Sequence, residues 1–182
     1  MGFSLETERL KLTVPTEKDF DDLFSLRTDV DVMSCVGGFG QEFGVSVEIQ
    51  TEEQVREQIS LSEDYFNTYK LGFFCVFLKE TGEFLGQAGL FHVKFNVNQP
   101  KIELAYRFLK KYWGRGYATE AAKRLIEYGF SGLDLKEMIA PVHPGNERSI
   151  NVLKKIGMTS QGEMEFRGHQ VPYYKITCED QL

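Results

Sequence analysis

Two glycines in the segment YWGRGYATEAA, residues 112–122, are the first residues with a possible chemical role. Gly114 and Gly116 flank Arg115, and alanines then recur at helical spacing. Free backbone N–H groups at a helix N-terminus bind anions such as phosphate, because the helix dipole places partial positive charge there. Glycine lets such an anion approach the backbone closely. The segment therefore predicts either a phosphate-binding turn or simply a tight connection between a strand and a helix.

A dinucleotide-binding fingerprint is a second interpretation of the same residues. Gly114, Gly116 and Thr119 fall on the spacing G-x-G-x-x-G, with threonine at the third position, and Asp134 lies twenty positions beyond Gly114. In that fingerprint the acidic residue ends the second strand, whereas Asp134 comes just after the predicted helix. We therefore do not expect a dinucleotide site. The sequence also lacks the G-x-x-x-x-G-K-[ST] pattern of a P-loop.

A resemblance to a known family extends beyond the glycines. The segment from 103 to 121, ELAYRFLKKYWGRGYATEA, closely resembles the acetyl-CoA-binding segment of the GNAT N-acetyltransferase superfamily. It is most similar to the RimJ/RimL-type branch, the ribosomal-protein alanine N-acetyltransferases. The superfamily signature, Gln/Arg-x-x-Gly-x-Gly/Ala, falls on residues 113–118, with Trp113 in place of the usual Gln or Arg, as this branch commonly shows.

A second motif carries the same resemblance independently. Residues 143–158, HPGNERSINVLKKIGM, resemble the branch's segment Asn-x-x-Ser-x-x-x-Leu-x-Lys-x-Gly-Met/Phe. The opening residues 5–12, LETERLKL, are similar to the branch's first strand. The resemblance therefore spans the whole chain, with its motifs in the expected order.

The resemblance implies acetyl-CoA as the co-substrate. It places the pantetheine arm along residues 107–109, with a backbone N–H near Phe108 polarising the thioester carbonyl, and the pyrophosphate on the N–H groups of residues 114–118. Asn146 is implied beside the pantetheine arm and is also a favourable helix N-cap. The cofactor-binding residues implied in this way are Arg107, Phe108, Leu109, Trp113, Gly114, Arg115, Gly116, Tyr117, Ala118, Thr119, Asn146 and Ser149.

Acetyl transfer from a thioester to an amine needs a base for the ammonium proton and an acid for the leaving thiolate. Many GNAT enzymes have an acidic tyrosine seven residues after the asparagine, but Leu153 stands at that position here. The resemblance implies Ser149 instead, and the alternative is a helix-start serine that bonds to the backbone. Glu103 and Glu165 are both implied as the base, and a solvated strand glutamate is the alternative for each.

The remaining elements are predicted from hydrophobic periodicity and turn residues. Thr16 with Asp19 resembles a cap for a first helix, a glycine-rich loop covers 29–50, and Thr51 is a natural N-cap for a second helix. Strands are predicted over 5–14, 73–79, 83–93, 101–109, 136–142, 159–166 and 171–178. The resulting order, β, α, α, β, β, β, α, β, α, β, β, predicts one α/β (α+β) domain over 1–182. Its central sheet is mixed, mostly antiparallel and flanked by helices.

Composition argues against several other classes of protein. The formal net charge of the 182 residues is −6, so there is no basic surplus for nucleic-acid binding. The three cysteines, Cys35, Cys75 and Cys178, are far apart without a C-x-x-C pair or a His-rich cluster. This argues against a disulfide scaffold and a metal site and fits a reducing, cytoplasmic setting. No apolar run approaches membrane-spanning length, so no membrane association is expected.

The predicted function is therefore acetyl-CoA-dependent N-acetyl transfer to a primary amine, by direct attack in a ternary complex. The RimJ/RimL-type resemblance suggests the N-terminal amine of a protein or peptide as acceptor. A small amine (a polyamine, an amino acid or an antibiotic) and a non-catalytic acetyl-CoA sensor remain alternatives. The loop 35–44 and the hairpin 162–172 are predicted to shape the acceptor site, because loops on a rigid scaffold carry specificity. A monomer or a homodimer is expected.

Overall fold

The computed structural model describes residues 2–35, 50–166 and 168–181. In these ranges eight strands form one sheet and five α-helices pack around it. The strands are β1 (Ser4–Glu6), β2 (Leu10–Thr13), β3 (Gly72–Leu78), β4 (Phe84–His92), β5 (Ile102–Phe108), β6 (Glu137–Pro141), β7 (Thr159–Phe166) and β8 (His169–Thr177). The helices are α1 (Phe20–Thr28), α2 (Val30–Cys35), α3 (Glu52–Tyr69), α4 (Tyr117–Glu127) and α5 (Glu147–Lys155).

The sheet is mixed and mostly antiparallel, as predicted. Its strand order is β1-β2-β3-β4-β5-β6-β8-β7, and β5 with β6 is the parallel pair among antiparallel neighbours. Parallel neighbours require a crossover connection, and α4 lies in the connection between these two strands. The predicted hairpins β3–β4 and β7–β8 are both confirmed.

The helices divide between the two faces of the sheet. Ala121 and Leu125 of α4 pack in one core cluster with Leu104 of β5. Leu23 of α1 packs in a second cluster with Cys75 of β3 and with residues of α3. Because side chains alternate between faces along a strand, β5 presents its even-numbered residues to α4 and its odd-numbered residues to α1.

The predicted first strand is wrong in one respect, because it is two short strands rather than one. The turn between β1 and β2 is closed by Thr7, whose hydroxyl accepts from the backbone N–H of Leu10 at 2.8 Å. The chain then reverses, and β1 pairs with β2 in an antiparallel hairpin. A turn of this kind depends on one side chain that bonds locally to the backbone, and the alternating pattern of apolar residues does not reveal it.

The loop predicted over 29–50 is also corrected at its start. Residues Val30–Cys35 form the short helix α2, and the Asp29 carboxylate accepts from the backbone N–H of Val32 at 3.1 Å, as a helix cap does. The rest of that loop, residues 36–49, lies outside the described residues, and so does most of the predicted acceptor loop 35–44. The predicted Thr51 cap of α3 is confirmed, since its side chain accepts from the N–H of Gln54.

Across the described ranges, we find no helix with the length and apolar character needed to cross a membrane.

Glu120, in the first turn of α4, ties the β1–β2 turn to this helix. Its carboxylate accepts from the hydroxyl of Thr7 at 2.5 Å, from the backbone N–H of Arg9 at 2.9 Å and from Nε of Arg9 at 2.6 Å. Arg9 also donates to the backbone oxygen of Arg115 at 3.2 Å, so the hairpin supports the glycine turn before α4. Burial alone would raise the pKa of Glu120, but the bonds from Thr7 and Arg9 outweigh it and hold this pKa below its usual value.

Replacing Glu120 by Gln should lower the free energy of unfolding at pH 7 by about 1–3 kcal/mol, the usual range for lost charge-assisted hydrogen bonds. The pKa of Glu120 is depressed in the folded state, so its contribution is complete above the unfolded value of 4.5 and is lost as the pH falls through the folded value. The difference between Glu120→Gln and the native chain should therefore shrink in acid. Urea unfolding at pH 7 and at pH 4 measures both effects.

Glu127→Gln is the matched control on the same helix. Glu127 is exposed and contacts only Arg124 among the ion pairs of the described residues, so this change should cost no more than about 0.5 kcal/mol. Equal losses for the two variants would contradict the anchoring role of Glu120.

Candidate active site

The neighbouring strands β5 and β6 separate partway along their length. They are paired at Glu103 and Ile139, whereas β5 stays in register with β4 all the way to Phe108. Beyond Glu103, β5 therefore has a partner on its β4 side and a gap on its β6 side. Glu103 lies at the point where this gap begins.

Backbone N–H groups of β5 face this gap. The N–H of Leu109 donates to the backbone oxygen of Leu85 in β4 at 3.0 Å. Because N–H directions alternate along a strand, those of Tyr106 and Phe108 point away from β4 and into the gap. The indole Nε1 of Trp113 donates to the backbone oxygen of Phe108 at 2.7 Å and fixes the end of the strand. These N–H groups are suitable donors for an extended polar chain or a carbonyl oxygen.

The glycine turn leads from this strand into α4. Gly114 and Gly116 have φ of 77° and 82°, a left-handed backbone that favours glycine. A Cβ on Gly114 would meet nothing within 4 Å, so the backbone conformation rather than crowding requires glycine there. Gly116 is the N-cap of α4, and no side chain caps the helix within the described residues. The first N–H groups of α4 are therefore available to an anion.

One cleft of about 1700 Å³ joins the gap, the glycine turn and the start of α5. Eleven of the predicted site residues line it: Glu103, Arg107, Phe108, Trp113, Gly114, Gly116, Tyr117, Ala118, Thr119, Asn146 and Ser149. The other three predicted residues, Leu109, Arg115 and Glu165, lie outside its lining as far as the chain is described. The backbone N–H of Leu109 bonds to β4, and the guanidinium of Arg115 lies 6.0 Å from the ring of Tyr112.

The start of α5 brings a hydroxyl pair to this cleft. The side-chain oxygen of Asn146 accepts from the N–H of Ser149 at 3.1 Å, which is the predicted N-cap. The Ser149 hydroxyl lies 2.9 Å from the hydroxyl of Tyr106, and Tyr106 also lies 3.2 Å from the backbone oxygen of Ser149. Burial raises the pKa of Tyr106, so its hydroxyl keeps its proton at neutral pH.

Sequence reasoning missed this contact between Tyr106 and Ser149. Alternation along β5 does assign Tyr106 to the face that α4 covers, but it does not say which residue of α5 lies opposite. The two residues are 43 positions apart in sequence, and they meet because α5 packs beside α4.

The two candidate bases occupy different environments. Glu103 is only 8% exposed and lines the cleft at the fork of the two strands. The side chain of Glu165 is 66% exposed on β7, and its carboxylate lies 3.5 Å from Nζ of Lys94. Of the two, Glu103 is the carboxylate that a group held in the gap can reach.

The gap gives access to both faces of the sheet at one point. Glu103, Ala105 and Arg107 lie on the face toward α1, whereas Tyr106 lies on the face toward α4 and α5. A reacting group in the gap can therefore meet a carboxylate on one side and a hydroxyl pair on the other.

The acceptor side of the cleft has an aromatic wall. The rings of Phe91 and Phe95 are stacked with centroids 4.5 Å apart, and Phe73 lies 4.7 Å from Phe91. The hairpin β7–β8 adds Phe166 and Val171 to the lining, as expected if the hairpin 162–172 shapes this end. Within the described ranges, no three His, Cys, Asp or Glu side chains are grouped to hold a metal ion.

Comparison with known proteins identifies the family. The model of the acetyltransferase (GNAT) domain matches residues 9–159. The uncharacterized protein YkkB of Bacillus subtilis (strain 168) is 35% identical over 155 residues, covering 85% of this chain and 84% of that protein.

Solved structures share the fold over nearly the whole chain. An acetyltransferase from Agrobacterium tumefaciens str. C58 has a TM-score of 0.79 and 25% identity, covering 97% of this chain and 95% of that one. RimL, a ribosomal L7/L12 alpha-N-protein acetyltransferase in complex with coenzyme A, has a TM-score of 0.77. Its alignment covers 98% of this chain and 99% of RimL, but at 14% identity the likeness is one of fold alone.

The uncapped N-terminus of α4 and the N–H groups in the gap suit the pyrophosphate and the amide-rich arm of coenzyme A. Together with the matching family model, they confirm the resemblance seen in the sequence: the chain belongs to the GNAT acetyltransferase family and is an acetyl-CoA-dependent N-acetyltransferase.

Proposed function

We propose that the protein transfers the acetyl group directly to a primary amine in a ternary complex, with the N-terminal amine of a peptide as the acceptor. The observation that carries this proposal is the gap beyond the Glu103–Ile139 pair, which opens to both faces of the sheet. Glu103 lies on one face, and the Ser149–Tyr106 hydroxyl pair lies on the other. A peptide acceptor is supported by the open, partly aromatic end of the cleft, where an extended chain can enter.

The cofactor would be held mainly by backbone groups. The first N–H groups of α4, after Gly114 and Gly116, would bind the pyrophosphate, with Thr119 beside them. The N–H groups of Tyr106 and Phe108 would bind the arm that carries the thioester. One of them would also stabilise the carbonyl oxygen as it gains negative charge during attack.

Glu103 would act as the base, directly or through a water molecule. It lies where the amine must arrive, at the head of the gap and on the face toward α1. By accepting the ammonium proton it would supply the free amine that attacks the thioester carbon.

The Ser149–Tyr106 pair would donate a hydrogen bond to the leaving sulfur, in place of the tyrosine that Leu153 replaces. The phenol of Tyr106 has one hydrogen. When Tyr106 donates it to the Ser149 hydroxyl, the Ser149 hydrogen is available to the sulfur. When Tyr106 donates instead to the backbone oxygen of Ser149, the serine hydrogen points back to Tyr106. Serine is a weaker acid than a thiol, so the hydroxyl would keep its proton and stabilise the thiolate through the hydrogen bond, which donation from Tyr106 would strengthen.

A small amine as acceptor and a sensor without turnover are the competing functions. An acetyl-CoA consumption assay against peptides with free N-termini, polyamines and aminoglycosides separates them. Turnover of peptides supports the proposal, and turnover of polyamines or aminoglycosides alone contradicts its acceptor. Tight coenzyme A binding without turnover of any amine would favour the sensor.

Gly114→Ala should weaken coenzyme A binding about tenfold or more, because alanine disfavours φ near 77° and the turn must shift away from the phosphate position. Gly82→Ala is a matched control in the β3–β4 turn, since Gly82 has φ of 74° and equally open surroundings. Both variants should lose about 1–2 kcal/mol of stability from backbone strain. Isothermal titration should show an affinity loss for Gly114→Ala only, and equal affinities would contradict the phosphate role.

Glu103→Gln should lower kcat by on the order of a hundredfold and flatten its pH dependence, because the base is removed while the shape is kept. Glu165→Gln should leave kcat and its pH profile unchanged. Steady-state kinetics between pH 6 and pH 9 measure both. A normal rate for Glu103→Gln, or a loss confined to Glu165→Gln, would overturn the assignment.

Ser149→Ala and Tyr106→Phe should each lower kcat by about tenfold, less than loss of a general acid would, because the pair stabilises the thiolate by a hydrogen bond. If the two hydroxyls act as a unit, the double variant should be no slower than the slower single variant. Additive losses would show that Tyr106 does not act through Ser149. The affinity for coenzyme A, measured in parallel, should remain within about threefold in all three variants.

A further inference from the structure

Exposed apolar side chains are concentrated in the cleft. Large apolar residues are exposed at six positions in the described part of the chain: Phe3, Val30, Leu61, Tyr69, Phe95 and Val97. Four of the six, Val30, Leu61, Tyr69 and Phe95, line the cleft. Exposed apolar side chains gathered in one concave site are typical of a place where a ligand covers them.

Phe95 joins these side chains to the aromatic wall. Phe95 is 50% exposed, and its ring is nearly parallel to that of Phe91, with an angle of 4° between the two planes. The centroid of the Tyr65 ring lies 5.5 Å from that of Phe95, and that of Phe73 lies 6.4 Å away. All four rings line the cleft, so they form one aromatic surface within it.

The backbone that carries Phe95 is strained. Lys94 and Phe95 have φ of 57° and 53°, a left-handed conformation that is unfavourable for residues with a side chain and rare for bulky ones. The turn is held by Val93, which is buried against Phe166 and whose backbone oxygen accepts from the N–H of Asn96 at 3.1 Å. Strained residues of this kind cluster at ligand sites. Here the strained turn places the Phe95 ring on Phe91 at the edge of the cleft.

Phe73 is held from the other side by an arginine. The guanidinium of Arg107 lies over the Phe73 ring at 4.8 Å. Nε and Nη2 of Arg107 donate to the side-chain oxygen of Gln87 at 3.1 and 2.6 Å, and Nη2 of Arg27 donates to the same oxygen at 3.4 Å. These bonds fix the position of Arg107 and, through it, support the Phe73 ring.

The aromatic wall lies beside the proposed base. Phe91 is the register partner of Glu103, and the Cβ atoms of directly opposed residues are about 4.5–5.5 Å apart. The next pair along the two strands is Gly89 and Ala105, which carry no large side chain. A ring attached close to an amine at Glu103 can therefore reach the wall without obstruction from the floor of the cleft.

The arrangement of the rings favours an apolar group over a second cation. A cation binds the face of an aromatic ring, whereas the ring edge carries partial positive charge. Phe95 covers one face of Phe91, and Arg107 already lies over the ring of Phe73. The ring edges and the exposed part of Phe95 suit another aromatic ring, in an offset or edge-to-face contact.

We propose that the acceptor amine carries an aromatic side chain on the carbon next to the nitrogen, and that Phe95 and Phe73, backed by Phe91, bind this side chain. The inference rests on the proposed function and narrows its acceptor: the peptide would begin with phenylalanine or tyrosine. The amine then faces Glu103, while the aromatic ring covers Phe95. This contact removes apolar area of both rings from water and adds a ring–ring interaction.

The first test compares acceptors that differ only in the first side chain. We would measure kcat/KM for the amides of Phe-Gly-Gly, Leu-Gly-Gly, Ala-Gly-Gly and Arg-Gly-Gly at saturating acetyl-CoA. The phenylalanine peptide should be preferred to the alanine peptide by about tenfold or more, with leucine between them and arginine no better than alanine. Equal use of the phenylalanine and alanine peptides, or a preference for arginine or for spermidine, would overturn the proposal.

Variants show whether Phe95 causes the preference. Phe95→Ala should lower the phenylalanine-to-alanine ratio about fivefold or more, and Phe95→Leu, which keeps an apolar side chain, should lower it about threefold. Phe3→Ala is the matched control, because Phe3 is 38% exposed and packs 4.7 Å from Phe66 without lining the cleft. It should leave the ratio unchanged.

The ratio is read within each variant, so a loss of active protein that affects both peptides cancels. Melting temperatures show whether each variant folds, and if Phe95→Ala does not, the ratio in Phe95→Leu decides. A native ratio in the folded Phe95 variant, or an equal fall in Phe3→Ala, would overturn the proposal.

A binding measurement separates this inference from the proposed function. N-acetyl-L-phenylalaninamide and N-acetyl-L-alaninamide are titrated into the native protein and Phe95→Ala, each saturated with coenzyme A. If coenzyme A binds but no amine is acetylated, the proposed function fails. The inference is still supported if the native protein binds the aromatic amide about tenfold more tightly or better and Phe95→Ala does not. Equal binding of the two amides, or no binding of the aromatic one, overturns it.

A small amine separates the aromatic site from the peptide acceptor. Phenethylamine and ethylamine differ by one ring and contain no peptide group. If phenethylamine is preferred about tenfold or more and no peptide is acetylated, the peptide acceptor of the proposed function is contradicted while the aromatic site is supported. Equal use of the two amines, with equal use of the phenylalanine and alanine peptides, would overturn the aromatic site itself.

Discussion

The separation of β5 from β6 is the constraint on which the rest of this structure depends. The two strands are parallel neighbours joined through α4, and their pairing is confined to Glu103 and Ile139. A backbone that stayed paired would have used its N–H groups within the sheet. Because the strands diverge, the N–H groups of Tyr106 and Phe108 face a gap, and a thioester placed there is open to both faces of the sheet.

The gap has a fixed position relative to the glycine turn, because the start of α4 and the end of β5 are each held by their own hydrogen bonds. At one end, left-handed Gly114 and Gly116 turn the chain so that α4 presents its first N–H groups to the cleft. Glu120 holds this turn through Arg9, which bonds both to the Glu120 carboxylate and to the backbone of Arg115. At the other end, Trp113 bonds to the last backbone oxygen of β5. The position of an anion relative to the strand is therefore set by hydrogen bonds from three separate segments.

The sheet also separates chemical tasks between its faces. A carboxylate and two guanidinium groups lie on the side of α1, and a neutral hydroxyl pair lies on the side of α5. Burial raises the pKa of Tyr106, so its hydroxyl stays protonated and neutral. It can therefore donate a hydrogen bond and does not place a second negative charge beside a leaving thiolate.

The sequence by itself determined the order of elements from α3 onward, the hairpins β3–β4 and β7–β8, the glycine turn and the caps at Thr51 and Asn146. Each of these depends on residues within a few positions of one another. It also pointed to the family, through motifs that are contiguous in the chain. Only the tertiary structure decided that Glu103 is in the cleft while Glu165 is in solvent. It alone brought Tyr106 to Ser149, 43 positions away, and Arg27 to Gln87, 60 positions away. Such contacts follow from strand register and helix packing, and these are properties of the whole fold that no local pattern contains.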